Sequence, residues 1–152
     1  MNATVNRLIP TLWLASTLVL GAQSAQAAPC APADCKALDA VAHDYIDGWY
    51  DGNATRMRNA LAPELAKRNL VQATNSTRID EMGADGLIYY TGKGTGATRE
   101  PSLRRADVTV LDVSGDMAAV KLVAQDWVDY LALARINGSW KIVNVVWELH
   151  AH

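Results

Sequence analysis

The sequence predicts an α+β domain, with N-terminal helices packed on a curved antiparallel sheet. Three observations carry this expectation. Apolar residues early in the chain recur at spacings of three and four, the signature of an amphipathic helix. The last third alternates with the period of two expected of strands. Between its last two strand-like runs stands Asn137-Gly138, a dipeptide strongly suited to a two-residue hairpin turn. Helices first and an antiparallel meander afterwards place the helices on one face of the sheet.

The 152 residues are 50% apolar and 20% charged, which suits one ordinary globular domain rather than a disordered chain. The first segment reads as something else. Arg7 supplies a positive start, no acidic residue precedes Asp34, and an apolar run extends from Leu8 to Leu20. Ala25-Gln26-Ala27 then places small residues where a signal peptidase reads them, so residues 1–27 are expected to be a secretory signal peptide. The apolar run is short for a membrane span, and no membrane association is expected after its removal. Pro29 directly before Cys30 argues against a lipid attachment site. The expected destination is the periplasm or the outside of the cell.

Residues 28–36 read as an N-terminal tail holding both cysteines, Cys30 and Cys35. In an oxidising compartment these can pair, closing a short loop that pins the tail without holding the fold. Residues 37–150 form the expected domain. Without Arg7, thirteen basic residues stand against sixteen acidic ones, a net charge of −3. No basic run or face points to nucleic acid.

Leu38, Val41, Ala42, Tyr45, Ile46, Trp49 and Tyr50 form the apolar stripe of a first helix, with Asp39, Asp44, Asp47 and Asp51 on its wet side. Gly52 is a stop signal and Asn53 a cap for a second helix from Ala54 to about Leu61, which Pro63 ends. Leu65 to Val71 reads as a short strand, Asn75 to Thr77 as a loop, and Asp80 to Tyr90 as a helix weakened by Gly83 and Gly86. A glycine-rich loop from Gly92 runs on to Pro101. Strands are expected over Val108–Val113, Met117–Asp126, Tyr130–Ile136 and Ser139–Leu149.

This order of elements resembles the cone-shaped nuclear-transport-factor-2-like (cystatin-like) superfamily. The residues that carry the resemblance are Tyr45 to Ala54, Val110 to Val113, Asp126 to Leu131 and Asn137 to Val145. Together they are similar to the branch named "putative lumazine-binding". The resemblance implies a conical pocket and, for many such cones, a homodimer formed through the outer sheet face. The superfamily includes isomerases, dehydratases, epoxide hydrolases, cyclases and pure binding proteins, so fold alone does not choose a function.

Alternation puts Asp126 at the end of the Val120, Leu122, Ala124 row, as a carboxylate lining the cone or as a turn aspartate. In the former setting burial would suit it to act as a base. In the last strand one phase holds Trp140, Ile142, Asn144, Val146 and Glu148, which makes Asn144 an inward amide serving a structural network or a ligand. The opposite phase, Val143, Val145, Trp147 and Leu149, is apolar enough to pack on a second subunit, unless the two faces are reversed. Tyr45 and Trp49, one helical turn apart, either line the pocket or belong to the core, and Tyr89, Tyr90 and Trp127 are aromatic candidates near the mouth.

His43 lies at the helix border, and His150 and His152 lie at the C-terminus, where no metal site is expected. The glycines from Gly92 to Gly96 lack the Lys-Ser or Lys-Thr of a phosphate loop. No Ser-His-Asp order or HExxH motif appears. The leading expectation is an exported, cofactor-free protein that binds a small apolar or aromatic ligand. One alternative is an isomerase, dehydratase or hydrolase using Asp126 as base, similar to a ketosteroid-isomerase cone. The other is an interaction module of the cell envelope.

Overall fold

The structure is a computed structural model that describes residues 30–150. The expected signal segment, residues 1–27, lies outside the described residues. Helix α1 (Pro32–Asp51) begins earlier than its apolar stripe, because Pro32 occupies the first turn, where its missing N–H is harmless. Most of the expected tail is therefore helix. A disulfide joins Cys30 to Cys35 across this start.

Gly52 ends α1 in the left-handed conformation, at φ 67°. Asn53 then caps α2 (Ala54–Ala60), its side chain accepting from the backbone N–H groups of Thr55 and Arg56. Arg56 in turn reaches back to Asp44 and Asp47 of α1, which clamps the two helices together.

Among the described residues the six strands are β1 (Leu61–Ala73), β2 (Ser76–Gly83), β3 (Ala106–Ser114), β4 (Met117–Ala124), β5 (Trp127–Ile136) and β6 (Ser139–Leu149). Helix α3 (Ala84–Gly92) follows β2. The expected helix over Asp80–Tyr90 is thus half strand: Asp80 to Gly83 pair with β1, and the helix starts only at Ala84. The short strand expected at Leu65–Val71 is the middle of a thirteen-residue one. Pro63 does not stop the chain; it is exposed, and the β1–β6 ladder shifts register between Leu61 and Ala66, where a missing N–H is tolerated.

The sheet order is β2-β1-β6-β5-β4-β3. It is mixed rather than wholly antiparallel, since β1 runs parallel to β6. Asn137 and Gly138, at φ 50° and 79°, form the expected hairpin turn between β5 and β6.

Two bulges bend the sheet. On β3, Leu111 is the extra residue between the pairs Val110–Val120 and Asp112–Ala119. On β6, Val143 is the extra residue between the pairs Ile142–Leu133 and Asn144–Ala132. Because strand sidedness has a period of two, one inserted residue inverts every side chain beyond it. Trp140 and Ile142 face the core as expected, but past the bulge it is Val145, Trp147 and Leu149 that turn inward. Asn144, Val146 and Glu148 turn outward.

The core lies between α1 and the concave face of the sheet. Leu38, Ala42 and Ile46 of α1 are fully buried along with Val120, Leu122, Leu131, Leu133, Ile142 and Val145. Burial of such side chains contributes roughly 1.5–3 kcal/mol each relative to exposure. The helices close one side of the cone and leave a cavity at the end where β1, β2, α3 and the start of β5 meet. Among the described residues no helix is long and apolar enough to cross a membrane.

Candidate functional site

The cavity holds about 440 Å³, within the range of small-molecule sites. Its walls are largely aromatic and apolar: Tyr45, Trp49, Trp127, Trp147, Met57 and Leu87. Trp127 and Trp147 meet edge to face, with ring centroids 6.5 Å apart. The polar groups reaching the cavity are few: Lys67 and Asn69 of β1, Asp80 and Glu81 of β2, and Thr95 and Arg99 of the α3–β3 connection.

A buried polar cluster forms the floor. Lys67 points inward because it shares a face with Leu65 and Asn69, opposite Val145 on β6 and Met82 on β2. Its ammonium donates to Asp129 Oδ1 at 2.7 Å and to the Tyr45 hydroxyl at 2.6 Å. Tyr45 OH lies 3.3 Å from the same Asp129 oxygen and donates to it. Trp127 Nε1 donates to Asp129 Oδ2 at 2.6 Å. Asp129 is 0% exposed, and both its oxygens are occupied, which is the condition for burying a carboxylate.

Electrostatics follow from this geometry. Burial lowers the Lys67 ammonium from its ordinary value, against the opposing pull of Asp129. Burial raises the Tyr45 phenol well above its ordinary value, and the charge of Asp129 and the hydrogen bond to it add to the rise. Tyr45 is thus a fixed neutral hydroxyl. Lys67 also lies over two aromatic faces, 4.8 Å from the Trp147 centroid and 5.3 Å from that of Tyr45.

The rim carries a second ion pair. Arg99 Nε donates to Asp126 Oδ2 at 2.7 Å, and the guanidinium lies 4.8 Å from the Trp127 ring centroid. Tyr90, 46% exposed, completes the mouth. Gly96 is buried against Trp49; a Cβ there would overlap the indole and the Trp49 carbonyl, so only glycine lets this loop seat the ring.

The structure brings together Tyr45, Trp49, Tyr90 and Trp127 of the expected residues. Three others fall elsewhere. Asp126 lies past the end of β4 at Ala124, half exposed and tied to Arg99, and so does not end a buried apolar row. Asn144 faces outward because of the Val143 bulge, and its side-chain oxygen accepts from Arg68. Tyr89 projects into solvent, 59% exposed, packed edge-on against Tyr90.

Sequence reasoning missed Lys67, Asp129 and Trp147. Asp129 was readable in principle: starting β5 at Trp127 rather than Tyr130 puts Trp127, Asp129, Leu131 and Leu133 on one inward face. Lys67 had no such signal, since charged residues occupy both phases of β1.

The family model described as "Putative lumazine-binding" matches residues 33–148. Among solved structures, the chain is similar to an NTF2-like protein of unknown function from Shewanella baltica, at 17% identity and TM-score 0.63, over 79% of this chain and 96% of that one. An NTF2-like protein of unknown function from Methylobacillus flagellatus matches at 19% identity and TM-score 0.64, over 80% and 96%. A ketosteroid isomerase-like protein from Erwinia carotovora atroseptica matches at 11% identity and TM-score 0.52, over 80% and 100%. At these identities the likeness establishes the fold, the nuclear-transport-factor-2-like cone. No curated protein matches the chain in sequence.

Proposed function

The chain belongs to the "Putative lumazine-binding" family of nuclear-transport-factor-2-like proteins, and from that premise we propose that it is an exported protein that holds a small flat aromatic ligand in its cone. The observation that carries the reading is the cavity itself: indole and phenol walls around a floor where the buried Asp129 carboxylate is satisfied by Lys67, Tyr45 and Trp127. Such a pocket grips by stacking and desolvation, with few directional contacts. Export is supported by the charged start, apolar run and Ala25-Gln26-Ala27 site, and by the Cys30–Cys35 disulfide, a bond suited to an oxidising compartment.

Native mass spectrometry of protein purified from its own compartment tests this reading. The expected result is a non-covalent adduct of small-molecule mass that is lost on denaturation. Protein that emerges ligand-free and binds no member of a panel of flat aromatic compounds would overturn it.

A homodimer through the outer sheet face belongs to the same proposal, but on different residues from those the sequence suggested. Val145 and Trp147 are used inside, while Val123, Val128, Tyr130 and Val146 share the outer face, with Tyr130 half exposed. Sedimentation analysis tests it: Tyr130→Glu should shift a dimer toward monomer, and a wild-type monomer at micromolar concentration would rule it out.

A further inference from the structure

Lys67 is an amine in the wall of a cavity, and stability alone does not account for it. A buried ion pair is seldom more stabilising than apolar side chains of similar volume. The chain has five lysines. Lys36 and Lys93 are exposed. Lys121 lies over the half-exposed Tyr130 ring, and Lys141 donates to the Asn59 carbonyl. Of the five, Lys67 is the one that lines the cavity, with its side chain 11% exposed.

Its setting is that of a nucleophilic amine. Apolar walls withhold water from the ammonium, and burial lowers Lys67 from its ordinary value, which favours the neutral, reactive form. A proton acceptor is in contact with it: Asp129 Oδ1 lies 2.7 Å from Nζ. That carboxylate is wholly buried and also held by Tyr45 and Trp127, so it stays beside the nitrogen as a fixed counter-charge. The Trp147 and Tyr45 rings, with centroids 4.8 Å and 5.3 Å from Nζ, further favour a cation at this point.

We propose that Lys67 Nζ is a nucleophile that captures an aldehyde or ketone in the cone as a covalent iminium, with Asp129 as proton relay and counter-ion. The proposal rests on the ligand-binding reading for the entry of a flat ring; the carbonyl and the covalent bond go beyond it. Asp129 takes one proton from the ammonium. The freed lone pair adds to the carbonyl carbon, forming an N–C bond as the C–O π bond breaks. A second N–H proton moves to the oxygen, which gives a neutral carbinolamine. Asp129 returns its proton to that hydroxyl, the C–O bond breaks, water leaves, and the nitrogen lone pair closes the C=N bond. One ammonium and one carbonyl become one iminium and one water. The charge at Nζ is the same at the end as at the start, so the buried carboxylate finishes ionised beside a cation, as it began. The one hydrogen left on nitrogen serves Asp129, and Tyr45 keeps its own bond to that carboxylate.

Reductive trapping tests this. The folded protein is treated at pH 7 with naphthalene-2-carbaldehyde and cyanoborohydride, which reduces an iminium to a stable secondary amine, and the modified lysines are mapped by mass spectrometry. Burial as such would make Lys67 the slowest of the five to react. The proposal expects the opposite: Lys67 modified at least about ten-fold faster than Lys36 or Lys93, as holding amine and carbonyl together allows, with the preference lost in urea. Lys67→Arg keeps the charge and removes the nucleophile, and should abolish the fast adduct. Because the mapping is read in the unaltered protein, it decides the matter even if that variant does not fold. Lys67 modified no faster than the exposed lysines, or a fast adduct that survives Lys67→Arg, would overturn the proposal. Quenching of tryptophan fluorescence by 2-methylnaphthalene, which has the same shape and no carbonyl, separates this failure from that of the ligand-binding reading. Quenching without a Lys67 adduct sinks the covalent step alone; neither quenching nor adduct sinks both.

Discussion

The molecule contains two ion pairs that are nearly the same in local chemistry and opposite in setting. At the floor, Lys67 meets Asp129 at 2.7 Å and lies 4.8 Å from an indole centroid. At the rim, Arg99 meets Asp126 at 2.7 Å and also lies 4.8 Å from an indole centroid. Side-chain exposure separates them: 11% and 0% at the floor, 25% and 38% at the rim. Water screens the rim pair and can replace either partner. At the floor Asp129 depends on Lys67, Tyr45 and Trp127 for all its solvation, and Lys67 depends largely on Asp129 and Tyr45 for its own. The same pair of charges is a structural commitment in one place and an adjustable latch in the other.

The largest effect should come from breaking the floor. Asp129→Ala strands the Lys67 ammonium and frees Tyr45 OH and Trp127 Nε1 together, and is expected to destabilise the fold by about 3–5 kcal/mol in urea unfolding. Replacing both charges, as Lys67→Met with Asp129→Leu, should cost less than the sum of the single changes, because no orphaned charge is left. Additive losses would mean that the two residues do not act as one unit.

The rim is not inexpensive throughout. Gly96→Ala drives a methyl group into the Trp49 ring and backbone, and an overpacked site of this kind loses about 1–3 kcal/mol. Ligand affinity should fall with it, since Trp49 is part of the cavity wall. Unchanged stability would show that the loop adjusts freely and that Trp49 is not fixed by it.

How much of this was legible in the sequence divides along the same line. The helix stop at Gly52, the cap at Asn53 and the turn at Asn137-Gly138 are local signals, and each element end they mark is where it was expected. The aromatic part of the cavity was half legible, because Tyr45 and Trp49 sit on a regular helix. What was lost depends on register. Val143 is one extra residue in an otherwise alternating strand; it exchanged Asn144 for Trp147 as the pocket residue, and no composition marks it. Lys67 looked like any surface lysine until the parallel pairing with β6 gave β1 an inner face.

Tyr45 sharpens the floor further through pH. Tyr45→Phe removes one acceptor for Lys67 and one donor to Asp129, a loss of about 1–1.5 kcal/mol near neutrality. In the unfolded chain the phenol ionises near its ordinary value of 10.0, whereas in the folded protein it holds its proton to higher pH. Above that ordinary value the native state therefore binds more protons than the unfolded one, and stability falls as pH rises. Lys67, lowered in the fold, acts in the opposite direction: stability rises with pH until the unfolded lysine also deprotonates, near 10.5. The Phe variant should lose the Tyr45 part of the alkaline decline while retaining a Lys67-dependent rise, measured by urea unfolding from pH 8 to about 11.

The smallest effect is expected where the sequence alone drew attention first. Asp126→Asn leaves Arg99 solvated at the rim and still stacked on Trp127, so the change in stability should stay within about 1 kcal/mol and shrink as salt is added. Its effect should be seen in ligand exchange instead. Arg99 lines the mouth, and losing its carboxylate partner frees the guanidinium to move, so the ligand off-rate should rise by a few-fold while the stacking contacts deeper in the cone are unchanged. A loss of several kcal/mol would make the rim pair the equal of the floor pair, and exposure would no longer explain the difference between them.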